Sequence, residues 1–122
     1  MKRLIVDLDQ TIAGPKTSSY LDCAPDNELI DRLKEYRADG FEIVIHTARN
    51  MNTYNGSLGK IVANTVPVII DWLARNGVPY DEVLVGKPWC GTEGFYIDDR
   101  SVRPDEFKSM TKDEIHHLLN RQ

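Results

Sequence analysis

The sequence has no long apolar run. The first run extends only from Leu4 to Val6 before an acid interrupts it. A transmembrane helix needs about 20 apolar residues, and the core of a signal peptide needs roughly 7–15. We therefore predict a cytoplasmic protein that does not have a membrane as a partner.

Cysteine and positive charge are also scarce. Cys23 and Cys90 do not have the spacing of a metal site, so in the cytosol they are predicted to be free thiols. The formal net charge is −4, from 19 acidic residues against 15 Lys and Arg. Most nucleic-acid-binding domains carry a basic face, so this balance argues against nucleic acid as a partner, although it leaves room for a local basic groove.

What the chain does contain is typical of one globular domain. It has 122 residues, of which 41% are hydrophobic and 28% charged. Such a length can bury a core without a disulfide or a metal to hold it together. The sequence has no internal repeat, linker or low-complexity tract. We predict a single domain over residues 1–122.

Strand-like and helix-like segments alternate along this chain. Apolar residues at helical spacing predict one helix that begins at Asp26 or Asn27 and stops before Gly40, and a second from about Pro67 to Asn76. A capping-box pattern at residues 111–114 opens a third helix. Runs rich in Leu, Ile, Val and aromatic residues predict strands at 3–8, 41–46, 83–85 and 95–97.

The alternation of these segments predicts the fold class. Strands that alternate with helices indicate an α/β protein with a three-layer, Rossmann-like fold and a mostly parallel sheet. The first strand has no clean polar alternation, which is typical of a strand covered on both faces.

Polar side chains follow each predicted strand where it ends. They are Asp7 and Asp9 after the first strand, Thr47 after the second, Lys87 after the third, and Asp98 and Asp99 after the fourth. In parallel sheets of this kind, ligands bind beyond the carboxyl ends of the strands. These side chains are therefore predicted to meet at one edge of the sheet.

Four carboxylates at one edge need a cation. Two carboxylates roughly 4 Å apart repel by about 4 kcal/mol at an effective dielectric constant of about 20. Oxygen ligands at a site that keeps waters favour Mg²⁺. Lys87 adds positive charge and Thr47 a hydroxyl, so a phosphate group would suit the site. An aspartyl-phosphate intermediate divides the very slow hydrolysis of a phosphate monoester into two steps.

Four motifs of the chain resemble those of the haloacid-dehalogenase-like (HAD) phosphohydrolases. In order, they are Asp7-Leu8-Asp9-Gln10-Thr11, Thr47, Lys87 and Asp98-Asp99. The resemblance spans residues 4–99. The stretches at 47–51 and 86–91 also resemble a small bacterial subgroup, the capsule or polysaccharide biosynthesis phosphatases.

The resemblance implies a role for each acid. Asp7 would be the nucleophile that takes the phosphoryl group, and its carboxylate would also bind the metal. Asp9 would be the general acid for the leaving group and then the base that activates water, and its backbone carbonyl would bind Mg²⁺. Asp98 would bind the metal directly, with Asp99 supporting it.

The resemblance also implies binding roles for two other residues. Thr47 and Lys87 would hold the phosphoryl oxygens of the substrate. Arg49 has two interpretations that the sequence leaves open, since it either contacts the substrate or pairs with an acid on the surface.

The chain departs from the family in its cap. Family members usually carry a cap domain, whereas here only residues 10–25 and 50–66 could serve as lids, and both are short. A minimal cap leaves the site open to a bulky substrate, or calls on a neighbouring subunit to finish the pocket. We predict a phosphorylated sugar or glycan precursor as substrate, and a homo-oligomer.

Other interpretations remain. A polynucleotide 3′-phosphatase of the HAD type is one, and a HAD-like domain that binds without turnover is another, although the intact Asp7 and Asp9 argue against the latter. A receiver domain of a response regulator has similar length, but it would need an acceptor Asp at the end of a middle strand before Thr47. The acids from Asp22 to Glu42 lie instead in a predicted loop, helix and strand start. Singly, each motif residue could also be structural, as a salt-bridged strand end, a helix cap or a surface charge.

Overall fold

A three-stranded parallel sheet organises the first part of the chain in the computed structural model, which describes residues 1–120. Its strands, in spatial order, are β1 (Arg3–Val6), β2 (Glu42–His46) and β3 (Glu82–Leu84). The register pairs Ile5 with Val44 and Ile45 with Val83. The predicted α/β class with a parallel sheet is therefore confirmed.

Five helices accompany the sheet in the described part of the chain. They are α1 (Asn27–Ala38), α2 (Leu58–Asn64), α3 (Val66–Arg75), α4 (Pro104–Ser109) and α5 (Lys112–Asn120). Asp26 caps α1 by accepting the Leu29 N–H at 3.0 Å, and Gly40 follows the helix with a φ of 90°. Both features agree with the predicted boundaries of this helix. Thr111 and Glu114 exchange hydrogen bonds at the start of α5, as the capping-box pattern predicts.

The core of the first part of the chain is built around β2. Ile43, Val44 and Ile45 are all buried to within 1%. On α3, the Trp72 indole N–H donates to the Cys23 carbonyl at 2.8 Å, which ties the loop at 10–25 to that helix. Cys23 and Cys90 are free, as predicted, and burial raises the pKa of the Cys23 thiol.

The chain divides into two compact units, Met1–Trp89 and Cys90–Gln122. The first unit holds the sheet and α1 to α3, and the second holds α4 and α5. The single domain expected from the sequence stays a prediction. Over residues 1–120, none of the helices has the length and apolar character needed to cross a bilayer.

The predicted strand at residues 95–97 is wrong. These residues have irregular backbone, and Phe95 and Ile97 are 76% and 90% exposed. An apolar run forms a strand only where another strand accepts its hydrogen bonds. The local sequence indicates that residues 95–97 favour strand conformation, but it does not indicate whether a neighbouring strand is present to pair with them.

Three further expectations change. The expectation that β1 is covered on both faces is wrong, because Ile5 is 57% exposed. Residues 50–66, which the sequence offers as a possible lid without a helix, contain α2, which Ser57 caps. Helix α4 was not predicted, although Pro104 in its first turn is a signal of a helix start, and the Glu106 carboxylate accepts the Arg103 N–H at 2.8 Å.

Candidate active site

The chain turns sharply as it leaves β1. The Leu8 carbonyl accepts the N–H groups of residues 11, 12 and 13 at 3.3, 3.0 and 3.0 Å, and Gln10 has a left-handed φ of 61°. Leu8 and Ile12 are buried to within 1% and fix this turn in the core. Asp7 and Asp9 flank Leu8, and their side chains stay 36% and 37% exposed. The turn therefore holds both acids at the carboxyl end of β1.

Asp7 contacts a lysine. Lys87 Nζ lies 3.5 Å from Asp7 Oδ1, and the Thr11 hydroxyl donates to Asp7 Oδ2 at 3.4 Å. The Lys87 side chain is 21% exposed. The predicted nucleophile thus keeps access to solvent while a positive charge stands beside it.

Backbone hydrogen bonds beyond β2 and β3 bring Lys87 to this place. The Thr47 N–H donates to the Leu84 carbonyl at 3.0 Å, and the Lys87 N–H donates to the Thr47 carbonyl at 3.2 Å. Gly86 precedes the lysine with a φ of 88°, and a Cβ there would lie 2.8 Å from the Leu58 side chain. The left-handed φ therefore favours glycine at this bend before Lys87.

Thr47 is almost fully buried at the end of β2. Its side-chain oxygen accepts the Arg49 N–H at 3.0 Å, and the residue is 1% exposed. The hydroxyl hydrogen still has a free direction to donate, because accepting uses only an oxygen lone pair. The predicted contact of this hydroxyl with a phosphoryl oxygen stays a prediction.

Arg49 pairs with Asp9 rather than with an acid on the surface. Its Nη2 and Nε lie 2.7 and 3.1 Å from the two Asp9 carboxylate oxygens. The Arg49 side chain is 1% exposed, and Nη1 is buried without a hydrogen-bond partner among the described residues. The interpretation of Arg49 as half of a surface pair is therefore wrong. A role for it in substrate binding stays a prediction.

Tyr20 belongs to this site although the sequence did not single it out. Its ring centroid lies 4.0 Å from Arg49 Cζ, a cation–π distance. Burial raises the pKa of the Tyr20 hydroxyl, with the nearby Asp9 charge adding to the shift and Arg49 opposing it. Tyr20 sits in a loop of small polar residues, so only the structure could identify its partner.

The five predicted residues of the first unit form one connected group, here called the strand-end cluster. Its members are Asp7, Asp9, Thr47, Arg49 and Lys87. Asp7 contacts Lys87, and the Lys87 backbone N–H donates to the Thr47 carbonyl. The Thr47 side chain accepts the Arg49 N–H, and the Arg49 guanidinium pairs with Asp9. Leu8 connects Asp9 to Asp7 along the chain. The groups come from the ends of all three strands, as the sequence predicts.

Asp98 and Asp99 lie in the second unit. Both are exposed, and the Asp98 carboxylate accepts the Arg100 N–H at 2.8 Å. Their predicted place beside Asp7 stays a prediction. No group of three or more His, Cys, Asp or Glu side chains gathered as for a metal ion occurs within residues 1–120. His116 and His117, on α5, are both exposed.

A depression in the first unit lies next to the strand-end cluster and is not lined by its five residues. This depression of about 480 Å³ opens between the turn after β1 and the start of α1. Gln10, Thr11 and Asp26 are among its lining residues. Of these lining residues, Thr11 contacts Asp7, since its hydroxyl donates to Asp7 Oδ2 at 3.4 Å.

Comparison with known proteins identifies a relative without stating an activity. The crystal structure of a structural-genomics target from Vibrio cholerae is 59% identical in sequence, with a TM-score of 0.95. The alignment covers 98% of this chain and 97% of that one. No family model and no curated protein matches the chain.

Proposed function

Since this chain belongs to the same family as the Vibrio cholerae protein, and that relationship supplies no activity, we propose a function from the residues themselves. The protein is a Mg²⁺-dependent phosphomonoester hydrolase that works through an aspartyl-phosphate. The observation that carries the proposal is the strand-end cluster, in which Lys87 Nζ stands 3.5 Å from Asp7 Oδ1. A half-exposed carboxylate beside a lysine suits attack on a phosphoryl group, whose negative charge the lysine offsets.

The proposed reaction has two steps. An Asp7 carboxylate oxygen bonds to phosphorus while the bond from phosphorus to the leaving oxygen breaks, and Asp9 gives that oxygen its proton. Asp9 then takes a proton from water, which attacks phosphorus and breaks the bond to Asp7, releasing inorganic phosphate. Lys87 and the Thr47 hydroxyl hold the phosphoryl oxygens throughout.

The pairing of Asp9 with Arg49 sets a requirement on this reaction. Both Asp9 carboxylate oxygens accept hydrogen bonds from the one guanidinium, at 3.1 and 2.7 Å, so the closed pair directs them at Arg49. Asp9 must therefore turn away from Arg49 before it can carry a proton to the leaving group. Arg49 holds Asp9 in the resting enzyme, and the Arg49–Asp9 pair opens when the substrate binds.

The donor set of the first unit fits Mg²⁺. The Asp7 carboxylate and the Asp9 carbonyl are hard oxygen donors, and Mg²⁺ commonly takes one or two carboxylates together with waters and substrate phosphate. Asp98, supported by Asp99, would be the remaining protein ligand. The ion would offset phosphoryl charge.

The finer classification follows the same proposal. The fold is three-layered and HAD-like, and its minimal cap consists of residues 10–25 and 50–66, now with α2 in the second segment. The open site suits a phosphorylated sugar or glycan precursor in the cytoplasm, as in capsule or polysaccharide biosynthesis. The receiver-like alternative lacks its acceptor, because no described strand lies between β1 and β2.

One variant tests the nucleophile. Asp7→Asn keeps the size of the side chain and removes the attacking oxygen anion, so we expect hydrolysis of p-nitrophenyl phosphate with Mg²⁺ to fall by about 10³-fold or more. Asp31→Asn, which alters an exposed acid on α1, is the matched control and should keep full activity. Full activity in Asp7→Asn would sink the assignment, provided that its melting temperature equals that of the wild type.

A further inference from the structure

Arg49 has the most deeply buried charge of the strand-end cluster. Its side chain is 1% exposed, against 21% for Lys87. Nε and Nη2 donate to the two Asp9 carboxylate oxygens at 3.1 and 2.7 Å, while Nη1 is buried without a hydrogen-bond partner among residues 1–120. The Tyr20 ring, 4.0 Å from Cζ, attracts the cation through its π-face. The Asp9 carboxylate is therefore the group that offsets this buried charge.

The two partners of this ion pair differ in their access to solvent. The Asp9 side chain is 37% exposed, whereas that of Arg49 is 1% exposed. Solvent thus meets the pair at Asp9. A ligand would reach the guanidinium through the place that the Asp9 carboxylate occupies.

The proposed reaction empties that place. Asp9 must turn away from Arg49 to carry a proton to the leaving oxygen, and Arg49 is held where it is, since its N–H donates to the Thr47 side-chain oxygen at 3.0 Å and the Tyr20 ring lies against its guanidinium. Removing one partner of a buried ion pair leaves an uncompensated charge, which is strongly unfavourable. Another anionic group must therefore replace the Asp9 carboxylate when the pair opens.

The leaving group of the substrate is the part that can supply this anionic group. In the proposed reaction, Lys87 and Thr47 already hold the phosphoryl oxygens, and Asp9 acts on the leaving oxygen. The place that Asp9 gives up is therefore next to the leaving group. Its geometry suits a planar carboxylate, because the two Asp9 oxygens already fit it at 2.7 and 3.1 Å in the two-pronged arrangement that guanidinium and carboxylate favour.

We propose that Arg49 binds a carboxylate on the leaving group, so that the substrate is the phosphate ester of a hydroxy acid, including an acidic sugar. This assignment rests on the proposed phosphatase function. In the resting protein, Asp9 occupies the carboxylate site. The carboxylate of the substrate displaces it and thereby frees Asp9 to act on the leaving oxygen. Lys16, an exposed residue whose Nζ lies 4.7 Å from the Tyr20 ring, adds positive charge near this site.

Two substrates that differ in one group test the preference. The esters 2-phosphoglycerate and glycerol 2-phosphate share their linkage and size, but the first has a carboxylate where the second has a hydroxymethyl group. With Mg²⁺ present, kcat/KM should be higher for 2-phosphoglycerate by about tenfold or more, because a two-pronged, charge-assisted contact forms only with the carboxylate. Equal values, or a preference for glycerol 2-phosphate, would overturn the proposal.

Arg49→Lys separates the carboxylate contact from a general loss of activity. Lysine keeps the charge but cannot make the two-pronged contact, so the preference for 2-phosphoglycerate should fall by about tenfold, with a rise in its KM. The KM for p-nitrophenyl phosphate, which has no carboxylate for Arg49 to bind, should change little. Arg75→Lys, which alters an exposed pair on α3, is the control and should keep the preference. An unchanged preference in Arg49→Lys, as a purely structural role predicts, would contradict the assignment.

Acetate tests the site without using activity. Asp9→Ala removes the carboxylate that Arg49 holds and leaves room for a free one, so acetate should produce a saturable rise in the melting temperature of this variant. Acetamide, which has the same shape without the charge, should produce none, and neither should acetate with the wild type or with Asp9→Ala/Arg49→Met. Asp9→Ser repeats the measurement if Asp9→Ala does not fold. Absence of the rise would count against a carboxylate site at Arg49.

The two kinds of measurement distinguish failure of this inference from failure of the proposed function. Stabilisation by acetate in a protein that hydrolyses no phosphate ester would keep the carboxylate site and remove the phosphatase function, together with the substrate class. Hydrolysis of p-nitrophenyl phosphate without a preference between the two glyceryl esters and without stabilisation by acetate would keep the phosphatase function and remove the carboxylate site.

Discussion

At the scale of the residue, the two acids of the first motif differ in what holds them. Asp7 has a lysine at 3.5 Å and the Thr11 hydroxyl at 3.4 Å, which leaves its oxygens weakly engaged. Asp9 accepts two short hydrogen bonds from Arg49, and the Tyr20 ring lies over the guanidinium. In the proposed reaction, Asp7, which has the weaker contacts, is suited to attack the phosphoryl group. Asp9 is suited to act once it is released from Arg49.

A conservative change at Arg49 tests this division. Lysine keeps the charge but makes no two-pronged contact, so Arg49→Lys should misplace Asp9 and lower kcat by about tenfold, with little change in KM. Steady-state kinetics on p-nitrophenyl phosphate measures the effects on kcat and on KM separately. Arg75→Lys alters an exposed pair on α3 and serves as the control. A large rise in KM at unchanged kcat would instead make Arg49 a substrate contact.

At the scale of the element, Asp81 joins the start of β3 to β2 and α1. Its N–H donates to the Ile43 carbonyl at 2.7 Å, and its carboxylate accepts the Ile43 N–H at 2.8 Å and contacts Arg37 Nη2 at 2.7 Å. The Ile43 hydrogen bond, helped by the Arg37 charge, lowers the pKa of Asp81. This link sets the position of β3 and, beyond it, of Lys87.

The lowered pKa of Asp81 predicts how stability depends on pH. Because the pKa is lower in the folded state, the stabilising contribution is fully present above the unfolded value of about 3.9 and is lost as the pH falls through the folded value. Asp81→Asn should therefore lower the melting temperature at pH 7 and lose this difference toward pH 3. Thermal unfolding across that range measures it, with Asp31→Asn as control. A difference in melting temperature between the wild type and Asp81→Asn that stays constant with pH would contradict this account.

The elements differ in how far sequence predicts them. Strand β2 was predicted because its three central residues are all apolar and all buried, and α1 because its capping aspartate and final glycine are local signals. Residues 95–97 were predicted as a strand on equally good local grounds, yet a strand is a property of a pair. Helix α2 was missed because its seven residues follow an Asn- and Gly-rich loop and bury Ile61 alone.

At the scale of the whole molecule, the order of the elements predicts the strand-end cluster. Parallel strands place their carboxyl ends together, so Asp7, Thr47 and Lys87 could be assigned to one edge before any coordinates. The pairing of Arg49 with Asp9 under Tyr20 could not, because a charged side chain is paired by three-dimensional proximity. The division into two units at Trp89 was not predicted, although three glycines and a proline fall within residues 86–94.

The central claim is that Asp7 carries the phosphoryl group during turnover. The most direct measurement is borohydride reduction of the enzyme during hydrolysis of a phosphate monoester with Mg²⁺, followed by peptide mass spectrometry. Borohydride reduces an aspartyl phosphate to homoserine, so the account predicts homoserine at position 7, dependent on substrate and absent from Asp7→Asn. Steady hydrolysis with an unmodified aspartate at position 7, or homoserine at another position, would contradict it.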